Sequence, residues 1–335
     1  MSAFIWVLAF ILTACTNEGP YNTFQPAGPV AEKQNDLYWL VFWIATAVFV
    51  LVEGALVYVM WRYRRRSADD TPTQIHGNTR LEVIWTIIPA LILAGVAVPT
   101  VGTIFDLASA PDDAMRVEVV GHQWWWEIRY PELGVVTANE AHIPTGEQVV
   151  FELTSNDVIH SWWVPRLAGK TDLIPGRTNT MNLAADEPGT YRGQCAEFCG
   201  LSHANMRFQV VAHEPADFDA WVQQQLAEAA APDAEVEQTI ATCFACHAIN
   251  GVGGPPPPPE GPPPDPTAPR QVFGPDLTHF GSRQTIAAGM MPNTPEALAR
   301  WLRDPPAVKP GSKMPDYRLT EPQIEALVEY LRGLK

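Results

Sequence analysis

Two long, predominantly apolar stretches, at 37–61 and 83–105, constrain this chain more than any other feature. Each exceeds the roughly 20 residues an α-helix needs to cross the hydrocarbon core of a bilayer. Between them stand Arg62, Arg64, Arg65 and Arg66, whereas the segment before the first stretch carries Lys33 alone. That asymmetry places the short loop in the cytoplasm and both flanking ends outside. Trp39, Trp43, Trp61 and Trp85 fall in or near the span ends, where interfacial aromatics gather. The expectation is a transmembrane helical hairpin over 30–110 that anchors everything after it on the external face. Glu53 lies within the first span, where a carboxylate is costly and faces protein or water. Glu82 opens the second, a position that the helix macrodipole favours for an acid.

The first fifteen residues form an apolar run ending Leu12-Thr13-Ala14-Cys15. Small residues before a cysteine resemble a bacterial lipoprotein signal, although no Lys or Arg precedes the run. Cys15 is therefore a candidate lipidation site, and 1–15 is set aside from the fold. The formal charge of −15 argues against nucleic acid as a partner, because phosphate binding needs a basic surface.

From 111 to 215 the pattern changes. Val149, Phe151 and Leu153 alternate with other residues, as do Met206, Phe208 and Val210 with Arg207 and Gln209, a period of two that signals half-buried strands. Pro144-Thr145-Gly146, Pro175-Gly176 and Pro188-Gly189 supply turns. Many short strands with regular turns predict an all-β Greek-key domain. Within it runs Cys195-Ala-Glu197-Phe-Cys199-Gly-Leu-Ser-His203-Ala-Asn-Met206, with a further imidazole upstream at His160. Two thiols, imidazoles and a thioether make a soft donor set that suits copper. Zinc competes for two Cys and two His, and a Cys195–Cys199 disulfide is the alternative without metal.

The spacing Cys-x-Glu-x-Cys-x-x-x-His-x-x-Met, with Gly121-His122-Gln123-Trp124-Trp125-Trp126 and the loop 170–177, resembles cytochrome c oxidase subunit II. The resemblance covers about 30–215 and implies a cupredoxin-like domain. It implies further that Cys195 and Cys199 bridge two coppers, that His160 and His203 bind one each, and that Met206 and the Glu197 carbonyl are weak outer ligands. The Glu197 side chain would bind Mg or Mn at the interface with the catalytic subunit I. Trp124 corresponds to the electron-entry residue, and Glu82 to a glutamate at the mouth of a proton path. For Trp125 and Trp126, core packing is the expected role.

Residues 216–234, rich in Ala, Glu and Gln, read as a linker. Then comes Cys243-Phe-Ala-Cys246-His247, the attachment motif of a covalent haem c. The expectation is an all-α class I cytochrome c domain over 235–335, interrupted by a proline-rich insert at 255–269 that favours extended polyproline structure. Met314 precedes a helix start at Thr320 with Gln323 three residues on, a capping-box arrangement. It is the expected second axial ligand, with Met290 and Met291 as alternatives.

These features point to the electron-entry subunit of a terminal haem-copper oxidase of the caa type. Electrons would pass from cytochrome c or a quinol–cytochrome c reductase to the haem, then the copper pair, then subunit I, where oxygen is reduced and protons are pumped. A nitric oxide reductase subunit and a free-standing membrane-tethered carrier are the alternatives. A quinol oxidase subunit lacking copper conflicts with the intact ligand set.

Overall fold

Both apolar stretches are helical in a computed structural model that describes residues 19–67, 71, 74–253 and 274–335. Cys15 with the leader 1–15, and the proline-rich 255–269, lie outside the described residues. Helix α1 spans Pro29–Arg62 and α2 spans Thr79–Ala108. At about 1.5 Å per residue each is longer than the roughly 30 Å hydrocarbon core. Asn78 caps α2 by accepting from the Arg80 and Leu81 amides, while Glu82 accepts from the Asn78 amide at 3.2 Å. Lys33 pairs with Asp106 at 3.0 Å, joining the start of α1 to the end of α2 in an antiparallel hairpin. Phe49, Leu51, Leu91, Val98 and Phe105 are all exposed, so both helices present apolar side chains outward, as membrane spans do.

The chain divides into two compact units, one of them Glu32–Ser109. The other holds ten strands followed by a small helical module. The strands are β1 Met115–His122, β2 Trp125–Tyr130, β3 Val135–Ala138, β4 Glu140–Pro144, β5 Val149–Ser155, β6 His160–Trp163, β7 Lys170–Leu173, β8 Asn179–Leu183, β9 Gly189–Cys195 and β10 Arg207–His213. They form two five-stranded sheets, ordered β3-β2-β1-β5-β8 and β4-β10-β9-β6-β7. The β1–β5 and β4–β10 pairs are parallel and the rest antiparallel.

Large aromatics lock the two sheets face to face. Trp126 on β2 meets Trp162 on β6 edge-on at 5.1 Å and Phe208 on β10 at 5.3 Å. Trp126 and Trp162 are fully buried and Phe208 almost so; offset and edge-to-face pairs add to the area such rings remove from water. The expected inward positions Val149, Phe151, Leu153, Met206, Phe208 and Val210 are buried, but so is Gln209. Gln209 stands on the other face of β10, which is covered here, and its amide donates to Glu140 at 3.4 Å.

After β10, α3 (Pro215–Leu226) lays Phe218, Trp221 and Val222 against the sandwich, with Trp221 stacked on His142 at 4.2 Å. The C-terminal module follows as α4 Ala234–Ile240, a tight turn at Cys243–Ala245, the short pairs β11 Ala248–Ile249 with β12 Val252–Gly253 and β13 Thr285–Ile286 with β14 Met291–Pro292, and helices α5 Pro295–Arg303, α6 Pro305–Val308 and α7 Glu321–Gly333. Its core gathers Ile240, Leu298, Leu302, Ile324, Leu327 and Leu331. The capping box of α7 forms, with the Thr320 amide donating to Gln323 Oε1 at 2.9 Å.

The helical module and the sandwich are joined through a buried carboxylate. Glu140, 1% exposed, accepts from the Gln284 amide at 3.0 Å, the Thr285 amide at 2.7 Å and the Thr285 hydroxyl at 2.9 Å. Burial pushes its pKa up, against the pull of these hydrogen bonds. Replacing Glu140 by Ala removes the acceptor of the Gln284 and Thr285 amides and of the Thr285 hydroxyl, at a net cost of about 0.5–1.5 kcal/mol for each hydrogen bond. E140A should therefore lower the thermal midpoint of the sandwich and loosen 284–285, whereas E140Q, which keeps one acceptor oxygen, should lose less; calorimetry with amide exchange checks both.

Candidate functional site

The soft donor cluster is built on the loop 195–206 between β9 and β10. The Cys195 amide donates to the Met206 carbonyl at 2.9 Å, so the two ends of the loop are pinned together. Cys195 and Cys199 are free, with Sγ atoms 3.7 Å apart, and no disulfide joins them. Cys199 Sγ lies 3.6 Å from His203 Nδ1 and 3.8 Å from Met206 Sδ. Cys195 Sγ lies 3.2 Å from the Glu197 carbonyl oxygen. His160, on β6 of the same sheet, brings a ring nitrogen within 4.8 Å of both sulfurs. All the cluster residues named from the sequence therefore converge, while the Glu197 side chain remains exposed.

Two features orient His160. Its Nε2 is 2.8 Å from Asp157 Oδ1, which leaves Nδ1 buried with no hydrogen-bond partner. Gly121 leaves room for the ring, since a Cβ there would sit 2.8 Å from His160 Cδ2. Burial opposes ionisation of Asp157, but hydrogen bonds from His160, Val158 and Gln123 outweigh it and hold the carboxyl below its usual range. Hydrogen bonding with Cys199 draws the Cys195 thiol strongly toward its thiolate, against desolvation.

The second cluster lines a cleft walled by the C-terminal module and by Gln123, Trp124, Trp125 and Asn139 of the sandwich. Cys243, Cys246, His247 and Met314 all lie on its wall, with Trp301, Tyr317 and Arg283. Met290 and Met291 are not among the lining residues, and Met291 packs instead on the module core. His247 Nδ1 lies 2.6 Å from the Pro275 carbonyl, which fixes the tautomer and leaves Nε2 free to act as a ligand. Gly274 permits this ring position, because a Cβ there would come within 2.4 Å of His247. Arg283 is half-buried, donates to the Asp276 carbonyl and has a buried Nε without a hydrogen-bond partner among the described residues. Burial lowers its pKa despite Asp276 and Glu140 nearby.

Trp124 connects the two clusters. It lines the C-terminal cleft, while its indole N–H donates to the Cys199 carbonyl at 3.0 Å. The Gln123 side chain donates to the same carbonyl at 2.8 Å. Its neighbours behave differently: Trp126 is core, as expected, but Trp125 is half-buried, stacks on His122 at 4.3 Å and also lines the cleft. Glu82 is remote in sequence from these groups and serves as a helix-capping acid in α2.

Asp157, Lys309 and Arg283 were given no role from sequence. The motif Asp157-Val-Ile-His160 held a signal for the first, since a carboxylate beside a ligand His commonly orients it. Lys309 carried none; its ammonium is buried and donates to the Trp124 carbonyl at 2.6 Å and the Ala287 carbonyl at 3.1 Å.

Known proteins share this organisation. Three family models match: the transmembrane domain of cytochrome c oxidase subunit II at 18–102, its periplasmic domain at 135–213, and cytochrome c at 234–335. Cytochrome c oxidase subunit 2 of Alkalihalophilus pseudofirmus is 39% identical over 346 residues, covering 98% of this chain and 95% of the relative. That of Bacillus sp. strain PS3 is 38% identical, with the same coverage of both chains. The periplasmic domain of subunit II of cytochrome oxidase from Bradyrhizobium japonicum is 28% identical over 35% of this chain and 97% of that one, with a TM-score of 0.34. A membrane hairpin, a sandwich carrying the cysteine loop and a cytochrome c module thus occur in one chain in the same order as in relatives matched almost end to end: the chain belongs to the cytochrome c oxidase subunit II family.

Proposed function

We propose that this subunit receives electrons on a covalently held haem c, passes them to a two-copper centre and delivers them to subunit I of a terminal oxidase. The observation that carries this order is the position of Trp124, which lines the haem-side cleft and is hydrogen-bonded to Cys199. In this reading Cys195, Cys199, His160, His203, Met206 and the Glu197 carbonyl would hold the two-copper centre. The unpartnered Nδ1 of His160 and the clustered sulfurs are the groups such a centre needs. Cys243 and Cys246 would hold the haem covalently, and His247 and Met314 are the residues that would bind its iron. Arg283, a half-buried cation on the cleft wall, suits an anionic group such as a porphyrin carboxylate.

When bound, the copper pair and the haem would supply one-electron carriers. The chain does the rest. Burial of His160 excludes water from one side of the cluster, Asp157 and Pro275 hold the two imidazoles in register, and the pinned loop 195–206 keeps the donors in place before metal arrives.

Further assignments rest on the same reading. The exposed Glu197 side chain is available to a Mg or Mn ion at the contact with subunit I, a cation that carboxylate oxygen suits. Glu82 would stand at the mouth of a proton path. The copper and haem modules, 111–215 and 235–335, would face the outside of the cell membrane, with 216–234 between them and Cys15 lipidated. The donor would be cytochrome c or quinol–cytochrome c reductase, meeting the haem module rather than Trp124.

Three measurements test these roles. C195S or C199S should abolish the mixed-valence copper spectrum and leave the haem c spectrum intact; a retained copper spectrum rejects the ligand assignment. M314A should change the haem ligation and lower its potential, and an unchanged potential transfers the ligand role to Met290 or Met291. The purified complex should consume oxygen with a reduced cytochrome donor and not nitric oxide; preferential nitric oxide uptake would place it among nitric oxide reductases.

A further inference from the structure

Lys309 is 5% exposed, and no carboxylate pairs with it among the described residues. Lysine is rarely buried without a partner, and desolvation pushes its pKa down to about 7 even with Cys199 nearby. Its two acceptors belong to different modules: the Trp124 carbonyl in the sandwich and the Ala287 carbonyl in the helical module. Ala287 and Ala288 both have positive φ, 56° and 62°, a left-handed conformation that alanine adopts only at a cost in strain. The next carbonyl, of Ala288, accepts from the Arg207 amide at 3.0 Å, one residue beyond Met206.

The segment that starts at Lys309 continues along the sandwich. Ser202 donates its hydroxyl hydrogen to the Pro310 carbonyl. Gly311, at φ 81°, lies against the Trp124 indole, where a Cβ would be 3.0 Å from the ring. Lys313 pairs with Asp157 at 3.7 Å, the same carboxylate that orients His160. Met314 follows. The residues that lead to the haem-side methionine are thus held to the copper side at successive positions.

We infer that Lys309 is the positioning residue of the haem-to-copper step: its ammonium fixes the Trp124 main chain to the helical module, so the indole stays between the Met314 segment and Cys199. Lys313 is the second, exposed anchor of the same segment. The step moves one electron and no atom, leaving the haem iron ferric and the copper pair one electron richer. The inference rests on the proposed order of carriers, but its structural half does not need either carrier to be loaded.

The test uses the assembled oxidase with K309M, which keeps side-chain length and removes the donor. Amide exchange at 122–125, 285–289 and 309–314 should quicken by about tenfold as local opening becomes easier. After rapid reduction of the haem, transfer to copper should slow by about tenfold, with both spectra and the haem potential unchanged. Quickened exchange with an unaltered transfer rate would mean a merely structural lysine, and a slower rate without altered exchange would deny positioning; either overturns the inference. If K309M fails to assemble, K313E at the exposed anchor decides, with an expected drop of about threefold and no change as the overturning result. Absence of haem or copper spectra from the unsubstituted oxidase would instead count against the proposed carriers, leaving the exchange result to judge the anchor.

Discussion

The Cys199 carbonyl accepts both the Trp124 indole N–H and the Gln123 amide, and much of the site's order follows from that shared acceptor. It ties the cysteine loop to the β1–β2 turn, and so connects the donor cluster to the opposite sheet. The loop would otherwise be a flexible connection carrying polar backbone groups over the end of the sandwich. With its ends closed by the Cys195–Met206 hydrogen bond and its middle held by Trp124, little ordering remains to be done on ligand binding. Preorganisation of this kind suits electron transfer, where a change of geometry between oxidation states slows the step.

The same tryptophan faces the C-terminal module, so the sandwich presents one side chain to two centres. Glu140, Lys309 and Ser202 accept or donate across that boundary. All three are buried. Polar links in such places contribute modest net stability, because desolvation offsets most of the gain, but they permit few alternative registers. A covalently fused carrier needs that discrimination more than it needs affinity. Linkage already supplies a high effective concentration, and register decides whether the carriers meet productively.

Much of this could be read from residue order because the determining interactions are local or compositional. Apolar runs longer than a bilayer core, the arginines between them, the Cys-x-x-Cys-His motif and the Thr320–Gln323 capping box each act within a few turns of chain. Period-two alternation located strands around 149–153 and 206–210, but it did not foresee the burial of Val150 and Gln209 on the other face, because what covers that face lies far along the chain. Met314 was favoured for its place before the final helix, and the cleft wall includes it and not Met290 or Met291.

Residue order by itself determined the membrane hairpin, the donor types and the haem attachment motif, since these depend on hydrophobic length and on spacing along the chain. Only the tertiary structure decided which groups serve the donors from afar: Asp157 behind His160, Pro275 behind His247, and Lys309 beneath Trp124. Lys309 and Trp124 are 185 positions apart, and a lysine in sequence looks like any solvated cation. Its role arises from burial, which withdraws water and leaves two backbone carbonyls as its acceptors among the described residues. Burial belongs to the assembled fold and not to any local stretch of chain.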